Sequence, residues 1–234
     1  MQLPFFFEEN LPVSDEFNLT EETSKHIVQV LRMHETEELM VTNGKGETLK
    51  AFITAANKKK TAVKITGRSF SPVASVKVSV AISPVKNKSR FEWFLEKATE
   101  LGVSEIIPLK SARTEKQQFR MDRMKSILES ALIQSQQVWM PILHEPQNFN
   151  SWVENVQADQ KFVAHCEDGE KRKLSEMIEI NSSSQLILIG PEGDFTDEEI
   201  NLAISHQFVA VELGVNRLRS ETAAVAAAAV LKLC

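Results

Sequence analysis

The chain has 234 residues, of which 42% are hydrophobic and 25% are charged, and its net charge is −5. These proportions are ordinary for a soluble globular protein, and the negative balance does not by itself indicate a nucleic-acid-binding protein. No apolar run approaches the roughly 18 residues that cross a bilayer, and the apolar start of the chain lacks the basic region of a signal peptide. The two cysteines, Cys166 and Cys234, show no metal-ligand spacing. We therefore expect a reduced cytoplasmic protein with no membrane segment and no metal site.

The first 70 residues have the pattern of a small β module. A helix is predicted over residues 20–31, with Thr20 as its N-cap and an apolar side. Short strands are predicted over 38–42, 49–54 and 61–65, and polar turns separate them. Regular short strands of this kind indicate a small barrel.

Residues 71–76 are predicted to form a linker, and the pattern changes after it. Residues 77–234 alternate between apolar strand segments and amphipathic helices. The predicted strands lie near 76–82, 105–109, 161–165, 185–189 and 208–212, and the predicted helices over 89–101, 121–136, 196–205 and 220–233. This alternation predicts an α/β domain with a mostly parallel sheet, in which ligands bind beyond the carboxyl ends of the strands.

Positive charge is concentrated in two stretches. Residues 57–68 contain five lysines and arginines and no acid, and residues 110–125 contain six against two acids. Either stretch alone is explained as solvated surface. The two together raise the expectation of a polyanionic partner such as RNA.

A loop with two glycines, Gly190-Pro191-Glu192-Gly193, follows the predicted strand 185–189. It lacks the Lys-Ser/Thr pair of a P-loop and the third glycine of a dinucleotide-binding loop. Acidic residues crowd this loop and the first turn of the next helix, where they complement the helix dipole and would repel phosphate. The pattern favours a neutral or cationic ligand, and S-adenosylmethionine, which carries a sulfonium, fits it. The alternative is a tight turn before a well-capped helix.

A second loop, residues 213–219, follows the predicted strand 208–212 and leads into an alanine-rich helix. Its Arg217 and Arg219 suit contacts with phosphate or with a base edge, although an arginine pair is also a common structural feature. A third loop, residues 83–88, follows the first strand of the same domain. The three loops are predicted to build a shared site at the carboxyl ends of their strands.

With these segments assembled, the chain resembles the bacterial 16S ribosomal RNA uridine-N3 methyltransferases of the SPOUT, or trefoil-knot, superfamily. The resemblance rests on His26–Arg32, Phe91–Pro108 with its core Glu96–Gly102, Ile189–Phe195 and Leu213–Ala223. It implies a PUA-like RNA-binding β-barrel over residues 1–70 and a SPOUT α/β domain over 77–234 whose C-terminal end is knotted. It also implies a homodimer, with the cofactor site in the knot near the subunit interface.

The activity that the resemblance implies is methyl transfer from S-adenosylmethionine to N3 of a uridine in 16S rRNA of the small ribosomal subunit. The cofactor-binding residues carry over as Leu188, Ile189, Gly190, Pro191, Glu192, Gly193, Leu213, Gly214, Val215, Asn216, Arg217 and Leu218. Arg219 is a catalytic candidate because it could stabilise charge on a base oxygen. Glu221 is a second candidate, as a proton acceptor, although a Glu in the first turn of a helix also suits a capping role.

Cations near the two basic stretches and the domain junction are candidates for contacts with the RNA backbone. They are Arg32, Lys58, Lys59, Lys60, Arg68, Lys86, Lys88, Arg90, Arg113, Arg120 and Arg123.

The chain departs from the common family pattern at three positions. Asp194 stands where the family commonly has a glycine, and Asn216 and Gln137 stand where arginines are common. Two alternative functions stay open at this point. One is a non-catalytic RNA-binding protein with the same fold, and the other is a nucleotide-binding α/β enzyme.

Overall fold

The computed structural model describes residues 3–115, 118–179 and 181–233. Residues 116–117 of the basic stretch 110–125 and the cysteine at position 234 lie outside the described residues. Residue contacts divide the chain into two units, one formed by residues 1–73 and 129–140 and the other by residues 74–128 and 141–234. The domain boundaries expected from the sequence, with a linker at 71–76, stay a prediction.

A five-stranded sheet forms the framework of the first unit. Its strands are β1 (Phe5–Phe7), β2 (Glu16–Asn18), β3 (Glu38–Thr42), β4 (Glu47–Ala55) and β5 (Ala62–Phe70), in the order β1-β3-β4-β5-β2. The long β4–β5 ladder is antiparallel and contains two register shifts, which increase the local twist of a sheet. Alternate residues of β4, namely Leu49, Ala51 and Ile53, are buried in the core. The predicted small β module is confirmed.

The predicted helix over 20–31 has two parts. The first is α1 (Glu21–Lys25), and Thr20 caps it by accepting a hydrogen bond from the backbone N–H of Thr23, as predicted. A π-helical turn, His26–Val30, follows it. Of the three residues expected to form its apolar side, Ile27 is buried, whereas Val30 and Leu31 are 68% and 45% exposed, so the expectation was wrong for the last two.

A parallel sheet forms the framework of the second unit, in the strand order β11-β13-β10-β12-β6-β7-β8, with β9 paired to β7. Its strands are β6 (Lys77–Ile82), β7 (Glu105–Lys110), β8 (Ile142–Leu143), β9 (Gln147–Asn148), β10 (Gln160–Ala164), β11 (Arg172–Lys173), β12 (Ser184–Ile189) and β13 (Val209–Glu212). Its helices are α2 (Lys88–Glu100), α3 (Met121–Ser135, which continues into the first unit), α4 (Phe149–Asn155), α5 (Asp197–Ser205) and α6 (Ser220–Leu233).

Every pairing recorded in this sheet is parallel. The central strands β6 and β12 are almost continuously buried, as is typical of parallel strands covered on both faces. The predicted α/β domain is therefore confirmed. Pro108 lies within β7, which continues to Lys110.

The alanine-rich helix α6 packs on α2, β6 and β12. Ala224, Ala227 and Ala228 are fully buried, so the small side chains permit the close approach that the sequence suggested. The knot that the family resemblance implies stays a prediction.

Candidate functional site

Three loops begin at the same level of the parallel sheet. Strand β10 lies between β12 and β13, and its last residue, Ala164, is in register with Ile189 and with Val211. The chain leaves all three strands at their carboxyl ends. The loop after β10 therefore lies between the two glycine-containing loops that the sequence singled out.

These loops surround a cavity of about 660 Å³. Its lining comes from the three loops, the strand ends before them and the start of α6. The lining residues are Ala164, His165, Cys166, Lys171, Ile189, Gly190, Pro191, Glu192, Asp194, Val211, Glu212, Leu213, Gly214, Val215, Asn216, Arg217, Leu218, Arg219, Ser220 and Ala223.

Ten of the twelve residues predicted to bind a cofactor line this cavity. Among the described residues, the lining leaves out Leu188, which is fully buried in the core, and Gly193. The structure thus brings together two segments that are more than twenty residues apart in the chain. The loop 83–88, which the sequence placed in the same site, does not contribute to the described lining.

Sequence reasoning missed the wall contributed by the loop after β10. This wall contains His165, Cys166 and Lys171. Lys171 donates hydrogen bonds from Nζ to the carbonyl oxygens of His165 and Glu167, which closes the loop on itself. Its sequence contains no recognisable ligand-binding motif. The rule that ligands bind beyond the carboxyl ends of parallel strands could have found it, because β10 itself was predicted.

Charges of both signs line the cavity. Burial, and secondarily the positive charge of Lys171, hold the pKa of His165 below its usual value. Burial and then the negative charge of Asp194 raise the pKa of the Cys166 thiol. Both side chains are therefore favoured in their neutral forms.

Hydrogen bonds from outside the loop fix the segment after β12. Arg113 donates from one terminal nitrogen to the carbonyl oxygens of Gly193 (2.6 Å) and Phe195 (3.3 Å). Arg113, a candidate for RNA contact, therefore holds the backbone on both sides of Asp194, which lines the cavity.

Glu199, one of the acidic residues after this loop, takes part in a helix cap. Thr196 accepts from the backbone N–H of Glu199, and Glu199 accepts from the N–H of Thr196, which is a complete capping box for α5. The other oxygen of Glu199 accepts from the N–H of Ala112. This carboxylate is thus occupied by structural hydrogen bonds.

The two catalytic candidates have different surroundings. Arg219 lines the cavity. Glu221 is 5% exposed, does not belong to the described lining, and lies with Oε1 3.6 Å from Nε of Arg90 on α2. Its environment therefore favours the structural role that the sequence also allowed.

Several of the RNA-binding candidates make contacts within the protein. Arg68 donates to the backbone carbonyls of residues 12–14. Lys86 pairs with Glu115. Arg123 donates two hydrogen bonds to Glu92, and these lower the pKa of the Glu92 carboxyl.

The other RNA-binding candidates are exposed. Lys58, Lys59 and Lys60 occupy the turn between β4 and β5, and Arg32 adopts a left-handed φ of 55° after the π-helical turn. Lys88 and Arg120 are also exposed. These side chains are the ones best placed to meet a polyanion from solution.

Among residues 3–115, 118–179 and 181–233, no group of three or more His, Cys, Asp or Glu side chains is arranged to hold a metal ion. Within the same ranges, no helix combines the length and the apolar character needed to cross a membrane.

Comparison with known families covers both units of the chain. The model of an RNA methyltransferase domain matches residues 72–232, and the model of an RNA methyltransferase PUA domain matches residues 19–66. The first of these matches covers more than half of the chain and includes every residue that lines the cavity.

Individual relatives match over most of their length. Ribosomal RNA small subunit methyltransferase E of Synechocystis is 32% identical over 219 residues, which is 90% of this chain and 71% of that protein. The Bacillus subtilis protein of the same name is 29% identical over 220 residues, covering 88% and 86%. The crystal structure of ribosomal RNA small subunit methyltransferase E from Neisseria gonorrhoeae, bound to S-adenosyl methionine, has a TM-score of 0.89 and 26% identity, and the alignment covers 99% of this chain and 98% of that one.

Proposed function

The chain belongs to the ribosomal RNA small subunit methyltransferase E family of RNA methyltransferases, and from this we propose that it transfers a methyl group from S-adenosylmethionine to 16S rRNA of the small ribosomal subunit. We propose N3 of a uridine as the acceptor atom, following the resemblance of the four sequence segments. The observation that carries the proposal is the convergence of residues 190–194 and of the loop 213–219 on one cavity.

The cavity suits this cofactor in size and in charge. A volume of about 660 Å³ lies within the range of about 300–1,000 Å³ typical of small-molecule sites. S-adenosylmethionine carries a carboxylate, an ammonium and a sulfonium. The lining offers cations in Lys171, Arg217 and Arg219 and carboxylates in Glu192, Asp194 and Glu212. A nucleoside triphosphate carries several negative charges and no cation, so it would leave the three carboxylates without a positively charged partner on the ligand.

The chemistry requires one proton transfer and one methyl transfer. The cofactor supplies an electrophilic methyl group on its sulfonium. The N3–H bond of uridine breaks and its proton passes to solvent water, a bond forms between N3 and the methyl carbon, and the carbon–sulfur bond breaks with its electron pair on sulfur, which leaves the neutral thioether S-adenosylhomocysteine. The work of the protein is to hold the base in line with the methyl group and to stabilise the negative charge that develops on the base oxygens.

We assign the charge-stabilising role to Arg219 because it lines the cavity and carries a permanent positive charge. We assign Glu221 to holding the first turn of α6 against α2 through Arg90. These assignments predict that Arg219→Lys lowers kcat much more than it weakens cofactor affinity, because a lysine keeps the charge but loses the planar donor geometry.

We further propose that the exposed cations contact the RNA backbone, and that the protein acts in the cytoplasm as a homodimer. The exposed apolar side chains of Trp93 on α2 (40%) and Leu233 on α6 (75%) support a second copy packing on these adjacent helices. Light scattering at micromolar concentration measures the mass directly, and a monomer at that concentration would contradict the homodimer.

Two assays separate this function from its alternatives. Calorimetry should show binding of S-adenosylmethionine and no binding of ATP, and the reverse result would favour a nucleotide-binding enzyme. Isotope-labelled methyl transfer to small-subunit RNA should show turnover. If the protein binds cofactor and RNA but transfers no label to free 16S rRNA or to the assembled subunit, a non-catalytic RNA-binding protein is favoured.

A further inference from the structure

Asp194 has a left-handed backbone conformation, which Asp adopts more readily than most residues with a side chain. Its φ is +63°, in the left-handed region that glycine occupies most easily. The side chain is 9% exposed and lines the cavity. A residue with a side chain at such a position needs compensating contacts.

The carboxylate of Asp194 makes those contacts by joining two walls of the cavity. Its Oδ1 accepts a hydrogen bond of 2.8 Å from the backbone N–H of Phe195, and its Oδ2 accepts one of 2.6 Å from the backbone N–H of Cys166. The first contact fixes the side chain on its own loop, and the second reaches the loop after β10. Both oxygens act as acceptors, which is the hydrogen-bonding pattern of an ionised carboxylate.

Asp194 supplies one of the negative charges in the lining of the cavity. The lining contains three cations, Lys171, Arg217 and Arg219, and three carboxylates, of which Asp194 is one. Glu192, another of the three, is exposed and accepts a hydrogen bond from the backbone N–H of Lys86. Asp194 is therefore a fixed and buried negative charge. With glycine at this position, the lining would carry one more cation than it has anions.

We propose that Asp194 is a specificity-determining residue, whose carboxylate makes this cavity prefer a sulfonium-bearing nucleoside to the corresponding neutral thioether. The inference rests on the proposed function, because S-adenosylmethionine and S-adenosylhomocysteine are the substrate and product concerned. These two molecules share the adenosine and the amino-acid portion and differ in the methyl group and in the charge on sulfur. A negative charge that lines the cavity stabilises the first of them selectively. The product, which lacks the charge on sulfur, then binds less tightly than the substrate does.

The ratio of two dissociation constants isolates this effect from loop positioning. Asp194→Asn removes the charge at nearly constant size, and Asp194→Gly removes the side chain while keeping the left-handed backbone unstrained. Either change also weakens the hydrogen bonds between the loops, which lowers the affinity for both ligands. The Kd of S-adenosylhomocysteine divided by that of S-adenosylmethionine is insensitive to this common loss and reports the charge.

Calorimetry on the full chain provides the test. We expect the ratio to fall by roughly three- to tenfold in both variants, as is reasonable for one screened charge near the ligand. Sinefungin, which carries an amine in place of the methylsulfonium, should lose affinity in parallel with S-adenosylmethionine. The matched control is Asp197→Asn, which removes an exposed carboxylate three residues away that does not line the cavity, and it should leave the ratio unchanged.

The possible failures are distinguishable. Failure of the unaltered protein to bind S-adenosylmethionine would overturn the proposed function and this inference with it. Binding of both ligands with an unchanged ratio in Asp194→Asn and Asp194→Gly would overturn this inference alone. An equal fall of the ratio in Asp197→Asn would show that general surface charge accounts for the preference, and would also overturn it.

Discussion

Nε of Arg90 on α2 lies 3.6 Å from Oε1 of Glu221 on α6, so a partly exposed cation faces a carboxylate that is 5% exposed. The second oxygen of Glu221 is buried and has no hydrogen-bond partner among the described residues. The charge of this carboxylate therefore depends on Arg90 for its stabilisation. The pair joins the first turn of α6, next to the cavity, to the first turn of α2.

Removal of Arg90 is expected to destabilise the protein more than removal of both charges. Arg90→Met leaves the Glu221 carboxylate buried without a counter-ion, and we expect a loss of about 1–3 kcal/mol, reduced from the value for a fully buried pair because Arg90 is partly exposed. The double variant Arg90→Met/Glu221→Gln should recover much of this loss. Urea unfolding of the two single variants and the double variant measures the coupling. If the losses of unfolding free energy in the two single variants add up to the loss in the double variant, the ion pair contributes nothing to stability.

The conformation of Gly214 is expected to be necessary for cofactor binding. Its φ is +142°, and a Cβ added there would meet no atom within 4 Å, so a substitution acts through backbone strain and not through a clash. Gly214→Val should raise the Kd for S-adenosylmethionine by about tenfold or more, from a strain of about 1–3 kcal/mol.

The chain offers a matched control for this variant. Gly169 has a φ of +149°, has equally open surroundings and does not line the cavity. Gly169→Val strains the loop after β10 two residues before Lys171, which lines the cavity, and should therefore raise the Kd much less than Gly214→Val does. Full cofactor affinity in Gly214→Val would mean that the loop after β13 is wrongly placed in the site.

The lysine turn between β4 and β5 is expected to bind RNA through charge alone. Changing Lys58, Lys59 and Lys60 together to Gln should weaken RNA binding and reduce the slope of log K against log salt by about 2, as expected for three phosphate contacts with single-stranded RNA. Cofactor affinity should not change. Filter binding at several salt concentrations measures the slope.

Arg68 provides the comparison for the lysine turn. It belongs to the same basic stretch, but its guanidinium is bonded to backbone carbonyls of the first unit. Arg68→Gln should lower the unfolding midpoint and change the salt slope little. An unchanged slope in the triple lysine variant would remove this turn from the RNA-binding surface.

Gly46 is expected to be the glycine least tolerant of substitution in the first unit. A Cβ there would lie 2.6 Å from the Trp139 ring and 2.7 Å from the carbonyl oxygen of Ser71, and the φ is +90°. Gly46→Ala should cost about 2–4 kcal/mol of unfolding free energy. Gly67→Ala, whose Cβ would lie 3.8 Å from the nearest atom, should change it by less than about 1 kcal/mol. Thermal unfolding of both variants provides the measurement, and equal midpoints would contradict the packing around Gly46.

The sequence located the cavity because its two glycine loops follow strongly apolar strands. The order of strand and loop along the chain also places both loops at the carboxyl ends of β12 and β13. It could not show that the loop after β10 closes the same cavity, since the contact between Asp194 and Cys166 joins residues 28 positions apart. The order of strands in the sheet, which puts β10 between β12 and β13, is a tertiary property.

The roles of individual cations were the least predictable part of the site. Arg113 and Lys60 both lie in basic stretches, yet Arg113 donates to carbonyl oxygens of the loop after β12 and Lys60 lies in an exposed turn. Charge along the chain does not distinguish these cases, because the outcome depends on which backbone oxygens fold close to each side chain. For the same reason Arg90, an expected RNA contact, is found beside the buried carboxylate of Glu221.

Identification of the methylated nucleoside tests the central claim most directly. Small-subunit RNA and assembled subunits that lack the modification are incubated with the protein and isotope-labelled S-adenosylmethionine, and the RNA is then digested and mapped by mass spectrometry. We predict label in 3-methyluridine at a single position of 16S rRNA, and its loss in the Gly214→Val variant. Label in a different nucleoside, or no label in either substrate although the cofactor binds, would contradict the account.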